Sequence, residues 1–532
     1  VWPHDPVVVI GAGPVGQTTA LLLARWGVPS VVLDRRPERD AVGSKAICQH
    51  RDVLDVWEAV GAGRRIAEEG VTWTTARTYH RGAELFAHTL PAAGPSPFPP
   101  FVNISQCRTE QVLDECIAAQ PLVDLRWGHE VTALARDDQG VTVRAGGEEL
   151  RGSFAVVCTG ARSDVLRRLL GVTFAGHSFD DRFLICDVRA DLPHWATERR
   201  FHFDPEWNPG RQVLVHPCPD STFRIDWQVP SGYDLDAETA SGALDTRIRR
   251  VIGDVPYELV WSSVYRFHSR VADRMRCGRV LLAGDAAHLV APFGARGLNS
   301  GVADAENAAW KIAWVGYGRA PESLLESYHD ERHAAAVENL EVTTATMNFL
   351  VPPDEARARH RAAVLERAAT DPDARALVDS GRLSEPFWYV DSPLTTPDPE
   401  RPFAGRPPRG QAPAPGPGVL VPDGPVTLPD GTRTRVRALA RDGFLLLAGA
   451  EADLDPVRAV AAEWRCALVS GYRGPERDNH SRAMWLLRPD AHVAAVLARP
   501  TRESLANALA RATAQAVPPR RRTGDGVLPA HR

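Results

Sequence analysis

A chain of 532 residues with 44% apolar and 24% charged side chains has room for roughly three domains and is neither collagen-like nor disordered throughout. Its 62 basic and 67 acidic residues leave a formal charge of -5, with no block of one sign beyond a short arginine cluster near the C-terminus, so neither nucleic acid nor a membrane is indicated as a partner. The 8 cysteines are scattered without a CxxC pair, which argues against a disulfide framework or a zinc site and suits a reducing cytoplasm.

In chain order, residues 7–10 (VVVI) form a short β-branched strand, GAGPVG follows, and QTTALLLARWG has helical apolar spacing. Residues 30–34 (SVVLD) form a second strand, so the chain opens with a β-α-β unit of the kind that starts a doubly wound sheet. Helices are expected at 51–60 and 109–119, and strands at 130–134, 141–145 and 154–158. Between 179 and 267 strands dominate, at 183–188, 200–203, 212–216, 223–229 and 257–267, a mainly antiparallel sheet inserted into the α/β domain. The α/β pattern returns at RVLLAGDAAH, and 321–350 reads as helix. A Pro- and Gly-rich linker at 401–418 precedes a last domain with strands at 443–448 and 484–487 and helices at 455–464 and 501–514. Two uncharged stretches, at 6–24 and 89–107, carry too much glycine and proline to be a signal peptide or a membrane span.

Gly11, Gly13 and Gly16 form G-x-G-x-x-G between strand and helix, where missing Cβ atoms let a pyrophosphate approach the helix N-terminus at Pro14 and Val15. Asp34, followed by Arg35, ends the next strand and can accept both hydroxyls of an adenosine ribose. This fingerprint is common to NAD and FAD sites. The segment 279–313, RVLLAGDAAHLVAPFGARGLNSGVADAENAAWKIA, resembles the flavin-binding segment of the FAD-dependent aromatic hydroxylases of para-hydroxybenzoate hydroxylase fold.

The resemblance extends to about residue 400, and more weakly to LLRPDAHVA at 486–494, which is similar to the closing strand pair of a thioredoxin-like C-terminal domain. It implies an α/β fold with a Rossmann-like FAD-binding domain (1–178 and 269–400), an inserted, mainly antiparallel β-sheet substrate domain (179–268), a linker (401–418), a thioredoxin-like domain (419–516) and a flexible tail (517–532). The cofactor so implied is FAD, with NADH or NADPH as co-substrate; the partners are a small aromatic substrate and molecular oxygen. The reaction would be hydroxylation of a phenolic or related electron-rich ring through a flavin C4a-hydroperoxide. The same cradle serves epoxidation, Baeyer–Villiger insertion and substrate oxidation, and a chain that holds flavin without catalysis. A homo-oligomer built through the last domain is a further expectation.

Residue by residue, the resemblance assigns Gly284 and Asp285 to the FAD ribityl chain, Pro292 and Gly294 to the flavin ring, and Gly297, Leu298 and Asn299 to a helix N-terminus at its pyrimidine end. Lys45 and Ala46, in GSKAIC, sit where relatives place an arginine near the FAD phosphates. Gln106 matches a flavin-side glutamine, and Val131 and the Thr159–Gly160 pair complete the cofactor set. Where relatives carry D-G-A-R-S-x-x-R this chain has TGARSDVLR, with Thr159 for the aspartate and Leu166 for an arginine, which bears on nicotinamide recognition. FRIDWQV resembles the strand that passes over the flavin. Its period of two puts Arg224, Asp226 and Gln228 on one face, and the neighbouring strand adds Gln212, Leu214 and His216. His216, Arg224 and Asp226 are therefore the candidates for orienting or deprotonating a substrate hydroxyl, with Tyr265 behind them. Arg224 is the single cation read on these strands, which favours a neutral or weakly acidic ring; the 79–100 loop, with Arg81, is a further source of pocket residues.

Overall fold

The computed structural model describes all residues except 41–42, 44, 91–94, 401, 408–410, 429, 473–481 and 517–532. The expected tail and parts of the linker and of GSKAIC lie outside the described residues.

The N-terminal strand Val7–Ile10 is wholly buried because both of its faces are covered by helices, which is why it reads as a continuous apolar run. It is central in a six-stranded sheet ordered Arg276–Cys277, Val280–Leu282, Ala155–Val157, Val7–Ile10, Ser30–Leu33, Val123–Arg126, parallel except at the first pair. The helices Pro14–Arg25 and Arg296–Gly316 pack against this sheet and each other, burying Leu21 to Leu23 against Ala305, Ala309 and Ile312. The chain thus leaves the Rossmann-like unit and re-enters it at Val280, as the return of the α/β pattern implies.

The inserted sheet has eight strands, ordered His288–Leu289, Tyr257–Ala272, Phe174–Ala190, Thr222–Val229, Gln212–Cys218, Glu198–Phe203, Thr75–His80, Ala83–Thr89. Two departures from the sequence reading matter. First, part of 79–100 is strand: a hairpin at Thr75–His80 and Ala83–Thr89 adds to the sheet, with Glu198–Phe203 running parallel to the first of these. Its mixed Thr, His and Arg composition hides the period of two. Second, Leu235–Ser241 and Ala243–Ile252 are helices within the stretch read as strands. Leu244, Ile248 and Ile252, spaced by four, cover one face of the sheet by packing on Cys186, Val215, Ile225 and Trp227.

The opposite face packs Phe183, Phe201, Phe203 and Leu214 against Ala291, Phe293, Met347 and Leu350 of the flavin-side loop and the long helix Glu326–Leu350. The C-terminal unit is thioredoxin-like, with strands Ala467–Tyr472, Leu445–Gly449, Met484–Leu487 and Val493–Leu497, the first pair parallel and the others antiparallel. It is bolted to the body by ions. Arg435 and Arg441 reach Asp55 at 2.7 and 2.5 Å, Arg437 reaches Asp52 at 2.5 Å, and Arg441 also reaches Glu306 at 2.6 Å. No helix among the described residues is long and apolar enough to cross a membrane.

Candidate functional site

The three N-terminal glycines are required for different reasons. A Cβ on Gly11 would stand 2.5 Å from the Cys158 carbonyl oxygen, and one on Gly16 would stand 1.8 Å from the Gly11 carbonyl, so both are close-packing positions. A Cβ on Gly13 would meet nothing within 4 Å, and Gly13 and Val15 are the half-exposed members of an otherwise buried turn. The helix that starts at Pro14 has no side-chain cap and no acid in its first turn. Its free N–H groups and positive dipole end face open space where the fingerprint expects a pyrophosphate.

The other cofactor candidates gather on the same side. Gly284 takes φ +62°, and its N–H donates to Asp304 at 2.9 Å, which leaves the Asp285 side chain exposed beside it. Lys45 is exposed and lowers the Asp285 carboxyl, though desolvation raises it on balance. Ala46 is fixed by its N–H on Gln106 Oε1 at 3.0 Å, so Gln106 acts here as a loop anchor. Gly294, at φ +92°, cannot carry a Cβ, which would stand 2.0 Å from the Arg382 carbonyl. Pro292 is exposed and Gly297 and Leu298 are half-exposed at the start of an uncapped helix. The Asn299 side chain faces away from that opening: it accepts from His50 N–H at 2.9 Å and donates to the Cys48 carbonyl at 3.0 Å.

Asp34 carries a partner the sequence reading lacked. Its carboxylate accepts the Ala12 N–H at 2.8 Å and the Arg36 fork at 3.0 Å on each oxygen. Burial opposes the charge, yet Arg36 and the backbone donors hold the carboxyl below its usual range. Arg35 beside it is exposed, and Val131 is half-buried near His129, whose N–H bonds the Asp34 carbonyl at 2.8 Å. In the altered motif, Thr159 pairs with the Ser163 hydroxyl and Gly160 takes φ +72°. Arg167 is 3% exposed and donates to the carbonyls of Ala286 and Ala161, so it braces the Gly284 turn and does not replace the missing surface arginine. The described residues thus suit FAD: an open pyrophosphate turn, a ribose acid, and uncapped amides at the flavin end.

The face of the inserted sheet nearest Lys45 brings all three catalytic candidates together. His216 pairs in register with Arg224, and its Nε2 lies 3.6 Å from Asp226 Oδ2. Arg224 is committed: it forks onto Asp187 at 2.8 and 2.9 Å and donates to the Lys45 carbonyl at 3.3 Å. Its role is that of a brace between sheet and cofactor loop. Burial, with Arg199 and Arg224 nearby, pushes the His216 imidazole well below its ordinary value. Burial likewise pushes the Asp226 carboxyl up to about 7, against Arg224, and its Oδ1 is buried without a partner. His216 is therefore neutral near pH 7 while Asp226 is poised between its two forms. Tyr265 lies on the same face, in register with Phe183. Arg81 is exposed on the hairpin turn, 3.9 Å from Glu366.

Sequence reasoning missed three contributors. Arg199 shares this face, so Arg224 is not its single cation; the strand begins at Glu198, earlier than its apolar pattern suggests. Asp187 was hidden inside an apolar strand, and Asp304, 20 residues past Gly284, shows no motif of its own. Only the register could reveal them.

Compared with known proteins, residues 4–343 match the family described as FAD binding domain, and residues 414–516 match aromatic-ring hydroxylase, C-terminal. A 3-(3-hydroxy-phenyl)propionate/3-hydroxycinnamic acid hydroxylase of a Mycobacterium species is 31% identical over 68% of this chain, which spans 62% of that protein's length. A flavin-dependent monooxygenase of Mycobacteroides abscessus is 34% identical over 64% of this chain and 73% of its own. The solved flavin-dependent monooxygenase PieE, in complex with FAD and substrate, superposes with a TM-score of 0.83 over 96% of this chain and 99% of its own at 24% identity, a likeness of fold.

Proposed function

Because the chain belongs to the FAD-binding-domain family of aromatic-ring hydroxylases, we propose that it is an FAD-dependent monooxygenase that consumes NADH or NADPH and O₂ to hydroxylate a phenolic or related electron-rich ring. The observation that carries this reading is Asp226, a poised carboxyl with an unpartnered oxygen on the sheet face that adjoins the cofactor loop. When bound, FAD would supply the redox chemistry by which the two electrons of the nicotinamide hydride let one atom of O₂ enter the ring while the other leaves as water.

The chain's own groups do the rest. The Gly13–Gly16 turn would hold the pyrophosphate, Asp34 the ribose and Asp285 the ribityl hydroxyls, while the amides from Gly297 onward would place positive potential at the pyrimidine. Asp226 accepts the proton of the substrate hydroxyl, and neutral His216 beside it fixes the ring by a hydrogen bond. Releasing electron density into the ring activates the carbon next to that hydroxyl. Phe183, Phe201 and Phe293, with ring centroids 5.4 to 6.3 Å apart in their contacts to Phe293, line the apolar wall that keeps water out.

Purified holoprotein should be yellow, and with nicotinamide and an accepted phenol it should consume O₂ in step with hydroxylated product. Protein that takes up no flavin on reconstitution sinks the reading. A second reading, oxidation of substrate without nicotinamide, is favoured by Thr159 and by the buried Arg167. Anaerobic spectra separate the two: substrate alone bleaches the flavin of an oxidase, whereas a monooxygenase needs the nicotinamide.

A further inference from the structure

The Asp34 carboxylate has no acceptor position left. An ionised carboxylate offers about four lone-pair positions, two on each oxygen. Oδ1 accepts the Arg36 backbone N–H at 2.9 Å and Arg36 Nε at 3.0 Å, while Oδ2 accepts the Ala12 N–H at 2.8 Å and Arg36 Nη2 at 3.0 Å. Each oxygen thus holds one backbone donor and one arm of the Arg36 fork. The backbone donors are fixed by the fold. Ala12 belongs to the glycine turn, and residues 34–36 are tied to the next loop by His129 N–H on the Asp34 carbonyl at 2.8 Å and Gly128 N–H on the Arg36 carbonyl at 2.7 Å. The fork is free to leave. Its third corner, Nη1, already lies on exposed Asp40 at 3.0 Å, and the guanidinium stands 5.5 Å from the Trp127 ring centroid, so an ion pair and an aromatic face are both open to it away from Asp34.

We propose that Arg36 is an internal competitor for the adenosine ribose: its two arms occupy, one on each oxygen, the acceptor positions that the two ribose hydroxyls need, and the dinucleotide binds by displacing them. This rests on the reading of Gly11 to Asp34 as the FAD site and is independent of the oxygenation chemistry. The reason for such a placeholder is the burial of Asp34. Burial opposes its charge, and a carboxylate there without a partner would be stranded in every chain that has yet to take up its dinucleotide. Arg36 supplies that partner, and the hydrogen bonds to Asp34 raise its own pKa in turn. The planar guanidinium spans both carboxylate oxygens at once, as the paired hydroxyls of a ribose do. The ligand therefore gains from Asp34 only the difference between its own hydroxyl bonds and a charge-assisted fork, so ribose recognition at this acid is weaker than the motif alone implies.

The test titrates flavin-free full-length protein with FAD and with its 2′-deoxyadenosine analogue, binding being read by quenching of flavin fluorescence. R36M, with Asp34 open, should bind FAD about tenfold more tightly than the native protein, and the analogue, which has one hydroxyl fewer to place on Asp34, should gain clearly less. R36K keeps the charge and loses the fork, so it should fall between the two. Melting curves give a second readout. Flavin-free R36M should melt below the native protein, and the gap should close at saturating FAD, because neither chain then has the fork on Asp34. The proposal is overturned if R36M and R36K bind FAD no more tightly than the native protein, if FAD and the analogue gain equally, or if the melting gap persists with FAD bound; R36K decides the matter if R36M does not fold. A native protein that binds FAD and gives any of these results keeps its cofactor and loses the competitor. One that takes up no FAD loses both.

Discussion

Asp226→Asn tests the poised carboxyl through stability as well as activity. Burial raises the native carboxyl from 3.8 to about 7. The native protein therefore keeps a proton that the unfolded chain has already released. The penalty is absent below pH 3.8, grows between the two values, and is complete above about 7. At ~1.36 kcal/mol per pH unit, the full penalty is about 4 kcal/mol, and the 19% exposure of the side chain lowers it toward about 2 to 3. Asparagine has the same shape and no charge to bury. D226N should therefore gain stability over the native protein as pH rises, by about 2 kcal/mol between pH 5 and pH 8, in urea unfolding followed by tryptophan fluorescence. The same variant lacks the proton acceptor, so hydroxylation should fall by roughly 10²-fold or more while nicotinamide oxidation continues and releases hydrogen peroxide. In the native enzyme kcat/KM should rise through pH 7; in D226N it should be flat. A stability difference that does not change with pH would show that Asp226 ionises normally and would refute the argument.

The glycines of the first turn should separate by role. G16A should not fold, given a Cβ 1.8 Å from a carbonyl oxygen; G13A, at φ -75° with open space around it, should melt like the native apoprotein yet bind FAD at least about tenfold more weakly by fluorescence titration. Thr159→Asp, which restores a carboxylate at the altered motif, should speed anaerobic flavin reduction in stopped flow; an unchanged rate would mean that other groups serve the nicotinamide.

How much of this was legible depended on period and packing. The Rossmann-like unit was plain because Val7 to Ile10 and Pro14 to Arg25 switch from a fully buried strand to a helical stripe at three glycines. The facing of His216 with Arg224 and Asp226 followed from a period of two on adjacent strands, which survives errors in strand length. What failed were features set by partners distant in the chain. The Arg36 fork on Asp34, the Arg224 fork on Asp187 and the bracing of Ala286 by Arg167 are each invisible to a motif. The Leu244, Ile248 and Ile252 stripe was masked by Asp245, Arg247, Arg249 and Arg250 on its exposed side.

The C-terminal unit is wired to the flavin cradle by buried charge, and this makes it part of the site's support. Asp304 accepts from Gly284 N–H, from His288 at 2.7 Å and from Arg332 at 2.6 Å, so it fixes the turn that presents Asp285. Arg332 also donates to the Tyr389 hydroxyl at 3.0 Å, and the Tyr389 ring lies under the Arg488 guanidinium, 4.9 Å from its centroid. Arg488, on the C-terminal unit, pairs with Asp490 at 2.6 Å and with Glu331, which also takes Lys311 at 2.7 Å. Glu331 sits on the same helix as Arg332, one residue before it. Every member is essentially inaccessible to water, so removing one charge leaves its partner stranded, at about 3 to 5 kcal/mol. Arg488→Met should therefore lower the melting temperature and also weaken FAD retention, because the strain reaches Gly284 through Arg332 and Asp304. The double variant R488M/E331Q should not recover the stability, because it leaves buried Lys311 without its carboxylate and buried Asp490 without its arginine. If R488M loses stability but holds FAD as tightly as the native protein in ultrafiltration, the network is a scaffold alone and its coupling to the Gly284 turn is refuted.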